Sequence, residues 1–257
     1  MDLRGRRALV TGGGRGIGRA TALALAGAGV DVAVAARTAG EVEAVAREVR
    51  GLGVRGTALT ADVGRAEEVR ALFEAAREAL GGIEILVANA GIATSAPLVK
   101  TTDEMWSQVL AVNLSGPFYC LREALPEMAG RGWGRAVVVA SIAGKSAMPY
   151  TAAYTASKHG VMGLTKVAAL EMAGRGVTVN AVCPGYVDTP MTDGGVARIA
   201  GKTGAEPAAI RRQLEELSPQ KRLVTADEVA ALVLYLCGEE ARGITGQGLN
   251  VDGGTLM

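Results

Sequence analysis

The sequence predicts a single α/β domain in which helices cover both faces of a parallel sheet. Short runs rich in β-branched residues alternate with longer segments whose Ala, Leu, Arg and Glu content suits helices. Runs such as Ala136–Ala140 are apolar at every position, which is typical of a strand that is covered on both faces. No repeat and no low-complexity linker divides the 257 residues, so we predict one domain over residues 1–257.

Each predicted element follows from this alternation. The predicted strands are Arg7–Thr11, Asp31–Ala36, Gly56–Ala61, Ile83–Ala88, Arg135–Ser141, Val177–Cys183 and Gly248–Val251. The helical segments between them include Gly18–Ala28, Glu41–Leu52, Ala66–Leu80 and Ala226–Leu236. Such alternation indicates βαβ units and therefore a parallel sheet. One long connection, Thr192–Ser218, interrupts the pattern and is predicted to be a substrate lid, with a neutral surface insertion as the alternative.

The composition excludes several classes of function. The 27 Lys and Arg residues balance 26 Asp and Glu residues, and two Trp, five Tyr and two Phe leave little for base stacking. We therefore expect no nucleic-acid partner. Three scattered cysteines and the single histidine, His159, indicate neither a disulfide framework nor a metal site. No apolar run approaches the ~20 residues that span a bilayer, so we expect no membrane partner and a cytoplasmic location.

A glycine-rich turn follows the first predicted strand. Residues Thr11–Gly18 read TGGGRGIG and lead directly into a helical segment. This spacing allows a tight turn, a close backbone approach and a helix amino terminus that faces a pyrophosphate. A plain glycine-rich connection is the alternative, but the position between strand and helix favours a dinucleotide. The loop residues predicted to bind it are Gly12, Arg15, Gly16, Ile17 and Gly18.

The end of the second strand predicts which dinucleotide is bound. A cofactor with a free ribose 2′-hydroxyl usually meets an acid there, but the sequence has Ala36 followed by Arg37. Arg37 and Arg15 can instead pair with a 2′-phosphate through charge-assisted hydrogen bonds. We therefore predict NADP(H), with two solvated surface arginines as the alternative. After the third strand, Asp62, beside Val63, is either a ligand of the adenine edge or a helix cap.

Four polar residues form the candidate catalytic group. Tyr154 and Lys158 are four residues apart and would share one face of a helix, although many amphipathic helices contain such a pair. The ammonium is predicted to lower the pKa of Tyr154 from its usual value near ~10, so that the phenol can exchange a proton with a carbonyl or alcohol oxygen. Ser141 can hydrogen-bond the same oxygen. Asn113 can hold a water in a proton relay to Lys158.

With these motifs in order, the chain resembles the short-chain dehydrogenase/reductase family from end to end. The resemblance rests on residues 11–18, Asp62, Asn89-Ala90-Gly91, Asn113, Ser141, Tyr154, Lys158, Pro184-Gly185 and residues 251–254. It implies a Rossmann fold with a doubly wound, seven-stranded parallel sheet and hydride transfer through a nicotinamide. It also implies that Asn113, Ser141, Tyr154 and Lys158 act as a catalytic tetrad.

The resemblance implies further cofactor contacts and an assembly. The residues implied are Asn89, Ala90, Gly91, Tyr154, Lys158, Pro184, Gly185, Val187 and Thr189, the last two beside the nicotinamide carboxamide. One departure is Ala88, where the family has Asn, which removes a side-chain hydrogen bond behind the cofactor loop. The family is usually tetrameric, and helices within 103–130 and 152–174 would pair in such a homotetramer.

The substrate is predicted from resemblance to 3-oxoacyl and polyketide ketoreductases. Where 3-hydroxybutyrate dehydrogenases hold a carboxylate with polar and basic side chains, this chain has Ala93, Ala143 and Thr151, which would leave a carboxylate unpaired. An apolar approach that includes Ala93, Ala143, Met148 and Met191 suits a neutral ketone better. In carrier-bound reductases, surface arginines beside the cleft meet the carrier protein; Arg175 corresponds to one such position, and Arg131 lies near another.

We therefore predict an NADPH-dependent ketoreductase acting on a small-molecule or carrier-bound ketone. An NAD-dependent secondary-alcohol or 3-hydroxyacyl dehydrogenase is the alternative within the same class. A non-catalytic, nucleotide-binding regulatory subunit is the alternative from a different class. The complete tetrad argues against a non-catalytic subunit, because packing alone does not require a Tyr, a Lys, a Ser and an Asn at those positions.

Overall fold

A seven-stranded parallel sheet organises residues 2–256, the part of the chain that the computed structural model describes. Its strands are β1 (Arg7–Thr11), β2 (Asp31–Ala36), β3 (Gly56–Thr60), β4 (Ile85–Ala88), β5 (Gly134–Val139), β6 (Val177–Pro184) and β9 (Gly248–Val251), in the order β3-β2-β1-β4-β5-β6-β9. A separate parallel pair joins β7 (Val187–Asp188) to β8 (Val224–Thr225). The predicted doubly wound, seven-stranded sheet is confirmed.

Helices pack on both faces of this sheet. They are α1 (Gly16–Gly27), α2 (Ala39–Gly51), α3 (Ala66–Leu80), α4 (Asp103–Leu110), α5 (Gly116–Arg131), α6 (Ala152–Met172), α7 (Pro190–Thr203), α8 (Pro207–Glu216) and α9 (Ala226–Cys237). One apolar core includes side chains of α1, α2 and α9, and the other includes side chains of α3, α5 and α6. Strands contribute alternate residues to the two cores because successive side chains point to opposite faces.

The direction of chain winding changes at β1, which pairs with β2 on one side and with β4 on the other. In sheets of this kind a crevice opens beyond the carboxyl ends of the strands at the switch point, where ligands bind. The glycine-rich loop follows β1 at that point, and the residues after β4 face it. The topology therefore places the predicted cofactor loop and the predicted catalytic residues at one edge of the sheet.

Several predicted boundaries differ from those observed. The strand β5 ends at Val139, so Ser141 lies beyond it and caps a 3-10 turn over Ile142–Gly144. Residue 113 lies in a π-helical turn, Ala111–Ser115, between α4 and α5. Such turns are rare and widen a helix locally, often at functional positions. Neither the end of β5 nor the π-helical turn produces a hydrophobic pattern from which the sequence could predict it.

The predicted connection Thr192–Ser218 is mostly helical and contains most of α7 and all of α8. Proline at the start of each helix suits the first turn, and Gly204, at φ 73°, ends α7 in the left-handed conformation. Arg211 in α8 forms ion pairs with Asp188 at 2.7 Å and Asp193 at 3.2 Å. These pairs tie the two helices to the segment that leaves β6.

Among residues 2–256, no helix combines the length and the apolar character that crossing a membrane requires. Within the same range, His, Cys, Asp and Glu side chains form no group of three that could hold a metal ion.

Candidate active site

The glycine-rich loop is packed so closely that side chains would not fit. Gly12 and Gly16 have φ values of 63° and 54°, a region that favours glycine. A Cβ at Gly18 would lie 2.2 Å from Gly12 O, and a Cβ at Gly12 would lie 2.8 Å from the Asn89 side chain. Gly18 is buried, so it supports the loop rather than forming its surface. The exposed backbone of the loop at the start of α1 is suited to a pyrophosphate.

Asn89 holds the glycine loop in place. Its side-chain amide donates to Thr11 O at 2.9 Å and to Gly12 O at 3.1 Å, while its backbone N–H donates to Thr11 Oγ1 at 3.1 Å. The sequence predicts that Asn89 binds the cofactor. Its amide protons are directed to the loop, which gives the side chain a positioning role. Asn89 also lines the cleft, and its contact with the cofactor stays a prediction.

The cleft beside the loop brings together most of the predicted cofactor residues. It is lined by Gly12, Arg15, Gly16, Ile17, Arg37, Asp62, Val63, Asn89, Ala90, Gly91 and Thr189. Asp62 accepts a hydrogen bond from Gly64 N at 2.9 Å, an Asx turn rather than the predicted alternative of a helix cap, since α3 begins four residues later. These residues surround a space suited to the adenosine and phosphates of a dinucleotide.

One charged residue on the rim of this cleft is absent from the sequence prediction. Glu41 lies in the first turn of α2, lines the cleft, and places its Oε1 3.6 Å from an Arg15 guanidinium nitrogen. Its signal in the sequence is weak, because it follows the end of β2 by five residues. Arg37 is exposed and forms no ion pair with any residue from 2 to 256.

The segment after β6 closes against the glycine loop. Thr189 lies within contact of Gly16, where a Cβ would be 3.3 Å from Thr189 Cγ2. The Val187 carbonyl accepts hydrogen bonds from Thr192 Oγ1 at 2.6 Å and Thr189 Oγ1 at 3.3 Å. Of the preceding residues, Pro184 is buried and Gly185 is partly exposed. The structure therefore brings Val187 and Thr189 to the same edge as the loop.

Tyr154, Lys158 and Ser141 converge from two elements. Lys158 is 5% exposed, and its Nζ donates to Val139 O at 2.8 Å and lies 5.7 Å from the centre of the Tyr154 ring. Ser141 Oγ accepts from Ala143 N at 3.1 Å, and the same hydroxyl acts to lower the pKa of the Tyr154 phenol. Gly91 joins this group to the cleft, since a Cβ there would lie 3.8 Å from Lys158 Nζ.

Asn113 is fully enclosed in its π-helical turn. Its Oδ1 accepts from Ile92 N at 2.9 Å, and its Nδ2 donates to Ile92 O at 2.8 Å and to Ser157 Oγ at 3.3 Å. The Asn113 side chain is buried and fixes the Gly91–Ile92 segment beside Lys158. The predicted water in a proton relay stays a prediction.

Burial determines the protonation of the catalytic pair. It raises the pKa of Tyr154 above its ordinary value, and the hydrogen bond with Ser141 opposes this rise only in part. Burial lowers the pKa of Lys158 to about 8. The predicted lowering of the Tyr154 pKa is wrong here because desolvation outweighs other effects and Lys158 directs its ammonium to Val139. Tyr154 therefore keeps its proton at neutral pH.

The predicted substrate residues separate into two groups. Met191 is 48% exposed and lines the cleft, while Ala93 and Met148 are half-buried. Ala143 is 0% exposed, so its predicted contact with substrate is corrected. The cause is the 3-10 turn that contains Ala143, which packs against α6 and leaves room only for glycine at the next position.

The two arginines predicted to meet a carrier protein lie away from the cleft within this chain. Arg131 ends α5 just before β5, and Arg175 follows α6 just before β6, so both are at the amino edge of the sheet. Arg131 is also paired with Glu127 at 2.9 Å. The prediction that these two arginines flank the cleft is therefore wrong within the single chain.

Comparisons with known proteins agree with this geometry. Residues 12–255 match the family described as enoyl-(acyl carrier protein) reductase. The chain is 41% identical over 255 residues to the D-beta-hydroxybutyrate dehydrogenase of Cupriavidus necator, with 98% of each chain covered. It is 38% identical over 253 residues to a 3-oxoacyl-(acyl-carrier-protein) reductase of Staphylococcus epidermidis, covering 97% of this chain and 98% of the relative.

A solved structure is similar over the same extent. The crystal structure of a variant of actinorhodin polyketide ketoreductase with NADPH superposes with a TM-score of 0.94, at 38% identity and with 97% of each chain covered. Sequence and structure therefore agree over nearly the whole chain. They show that this protein is an oxidoreductase of the short-chain dehydrogenase/reductase family, which uses nicotinamide cofactors on hydroxyl and ketone groups.

Proposed function

We propose that the protein reduces a 3-oxoacyl or polyketide-like ketone to a secondary alcohol with NADPH. The observation that carries the proposal is the convergence of Tyr154, Ser141 and Lys158 at the carboxyl edge, joined to the glycine-loop cleft through Gly91. A protonated phenol suits the reductive direction, in which the substrate oxygen needs a proton. Relatives named for 3-oxoacyl and polyketide ketone reduction support the same substrate class.

Each residue of the group has a distinct role in this proposal. The nicotinamide cofactor, when bound, supplies the hydride that reaches the carbonyl carbon. Ser141 orients the carbonyl oxygen, and Tyr154 gives its proton to that oxygen as the C–O double bond becomes single. Lys158 has donor capacity left beyond Val139 O for the cofactor ribose. Asn113 positions the Gly91–Ile92 segment.

The preference for NADPH is supported by the charges at the rim of the cleft. Arg15 and Arg37 both line it, and Ala36 stands where an acid would contact a free ribose hydroxyl. Guanidinium groups form strong hydrogen bonds with phosphate. The related ketoreductase structure is one with NADPH, which favours the same cofactor here.

A second candidate is the oxidation of a secondary alcohol such as a 3-hydroxy acid with NAD. Relatives that are 41–42% identical and named D-beta-hydroxybutyrate dehydrogenase favour it. Against it, Ala93 and Thr151 offer no cation to a small carboxylate. The Thr151 hydroxyl is already hydrogen-bonded to Met148 O at 2.8 Å and Thr155 Oγ1 at 2.9 Å. A neutral ketone therefore fits better.

Four further features belong to the proposal. We propose that α7 and α8 form a lid over the substrate. A homotetramer through α4–α6 would bury apolar side chains that are exposed in the single chain, namely Trp106, Phe118, Val167 and Leu170. A cytoplasmic location is proposed with it. The ketone is either free or attached to a carrier.

The proposal is tested by cofactor binding and turnover together. Fluorescence titration should show tighter binding of NADPH than of NADH, and Arg37→Ala should weaken NADPH binding about tenfold, the value of one charge-assisted contact. Arg47→Ala, on the exposed side of α2, is the matched control. Turnover of 3-oxoacyl thioesters with NADPH is expected. Equal binding of both cofactors, with turnover of alcohols only, would favour the dehydrogenase instead.

A further inference from the structure

Three charges meet at the rim of the cleft, and one of them has the wrong sign for a phosphate. Arg15 and Arg37 are both exposed, and Glu41 lies beside them with Oε1 3.6 Å from an Arg15 nitrogen. All three line the same cleft. A 2′-phosphate that binds the two arginines would therefore share this space with a carboxylate.

Glu41 packs against the glycine loop. A Cβ at Gly14 would lie 2.9 Å from Glu41 Cβ and 3.0 Å from Glu41 Oε2, so the glutamate side chain lies across the loop in the space that a side chain at Gly14 would fill. The first turn of α2 also favours a negative charge, because the helix amino terminus carries a partial positive charge. The carboxylate therefore lies on the rim beside Arg15.

Glu41 does not occupy the position of the acid that usually contacts the free 2′-hydroxyl of the ribose. That acid ends the second strand, where this chain has Ala36, whereas Glu41 lies on the helix beyond and contacts the loop and Arg15. Its direct effect is therefore on the charge around a 2′-substituent. It neutralises part of the charge of Arg15, and it repels a phosphate dianion in the same space.

We propose that Glu41 is a specificity-determining residue that opposes the 2′-phosphate and so limits the preference of the enzyme for NADP(H) over NAD(H). The inference rests on the proposed function in requiring a nicotinamide dinucleotide in this cleft. It goes further because it assigns the relative affinity for NADP(H) and NAD(H) to Glu41, which lies on α2 and not at the end of β2. Replacing the carboxylate by an amide of the same shape removes the charge and leaves the packing against Gly14.

The test compares Glu41→Gln with Glu43→Gln, an exposed glutamate of the same helix that pairs with Arg50 away from the cleft. Dissociation constants are measured for NADPH and NADH, and for adenosine 2′,5′-bisphosphate and 5′-AMP as probes. Glu41→Gln should tighten NADPH and the bisphosphate about three- to fivefold, the size of a partly screened charge interaction, and leave NADH and 5′-AMP within about twofold. Glu43→Gln should change none of them.

Two further measurements separate a charge effect from a change of shape. The gain should shrink at high ionic strength, since exposed charges are screened. It should also be smaller when Arg15→Gln is already present, because part of the effect acts through that guanidinium.

Different results would overturn different statements. Unchanged NADPH binding in Glu41→Gln, or an equal gain for both cofactors, would refute the role of Glu41 while leaving the proposed function intact. A loss of NADH binding with NADPH unchanged would refute it as well, since Glu41 would then be a ribose ligand. A wild-type protein that binds none of the four nucleotides would instead refute the proposed function, and this inference with it.

Discussion

The amino and carboxyl edges of the sheet both bury charged side chains, but only the amino edge pairs them with opposite charges. There, buried Glu84 accepts from Arg6 at 2.7 Å and from Arg7 at 2.9 Å. Arg135, whose side chain is 3% exposed, pairs with Glu239 at 2.9 Å and lies over the Trp133 ring. This amino-edge cluster carries its own counter-ions.

The carboxyl edge leaves its buried cation without a counter-ion. Lys158 donates to the carbonyl of Val139 alone, and no carboxylate within residues 2–256 contributes to its pKa, which burial lowers to about 8. A buried ammonium with unused donor capacity destabilises the fold unless a partner arrives. The difference teaches that the amino edge stabilises the chain by itself, whereas the carboxyl edge retains binding capacity for a cofactor and a substrate.

The largest effect is expected from removing the proton that the carboxyl edge supplies. Tyr154→Phe keeps the ring and its packing but removes the phenolic hydroxyl. We expect kcat for ketone reduction to fall about 10³-fold, within the range that a positioned acid contributes, while the Kd of NADPH changes less than about twofold. Stopped-flow turnover and fluorescence titration measure the two quantities.

The control for this variant is Tyr235→Phe, which removes an exposed hydroxyl on α9. Its kcat should match that of the wild-type protein. If Tyr154→Phe kept more than about a tenth of wild-type turnover, Tyr154 would not be the proton donor.

The buried ammonium predicts a rise of stability with pH. The folded pKa of Lys158, about 8, lies below its unfolded value of 10.5. Between these values the unfolded chain binds more protons, so the free energy of unfolding increases with pH, by about 3 kcal/mol over the whole window. Lys158→Met removes this titration. Urea unfolding from pH 7 to 10.5 should show the wild-type protein gaining stability relative to the variant as pH rises.

The comparison between the two proteins removes the contributions of other groups, such as Cys120 and Cys237, whose thiols titrate in this range only when unfolded because burial raises their folded pKa to about 12. Parallel stability curves for wild type and Lys158→Met would contradict the prediction, because they would mean that Lys158 has the same pKa in both states.

The strands and the glycine loop could be predicted because their signals are local. Apolar runs of strand length and a TGGGRGIG turn are read directly from neighbouring residues. The features that were missed depend on contacts between distant segments. Asn113 is bound to Ile92, Glu41 reaches Gly14 and Arg15, and no periodicity reveals either contact. For the same reason the pKa of Tyr154 was wrongly predicted, since burial cannot be read from its spacing to Lys158.

The amino-edge cluster likewise could not be predicted from the sequence, because its residues come from four separate segments. Arg6, Glu84, Trp133 and Glu239 are brought together only by the strand order and by the turn after α9. From the sequence alone, a charged residue next to a strand is expected to be exposed to solvent, because charged side chains are rarely buried.

The smallest effect on activity and a clear effect on stability are expected at the amino edge. Glu84→Gln removes the charge that Arg6 and Arg7 share and leaves two guanidiniums close together. Burial opposes ionisation of Glu84, but hydrogen bonds from Arg7 and Arg6 hold its pKa below the ordinary value. We expect a loss of about 2 kcal/mol in the free energy of unfolding at pH 7, less than for a fully buried pair because both arginines remain partly exposed. The loss should vanish as pH falls through the folded pKa of Glu84, since the wild-type carboxyl is then also neutral.

The matched control for this variant is Glu43→Gln, which breaks an exposed pair with Arg50 and should cost less than about 1 kcal/mol. Urea unfolding measures both losses, and kcat and KM at 25 °C should equal those of the wild-type protein in both variants. A fall in kcat for Glu84→Gln without a loss of stability would contradict the division between the two edges, because the amino edge would then act on the chemistry. Equal losses of stability in the two variants would show that burial of Glu84 adds nothing to its ion pairs.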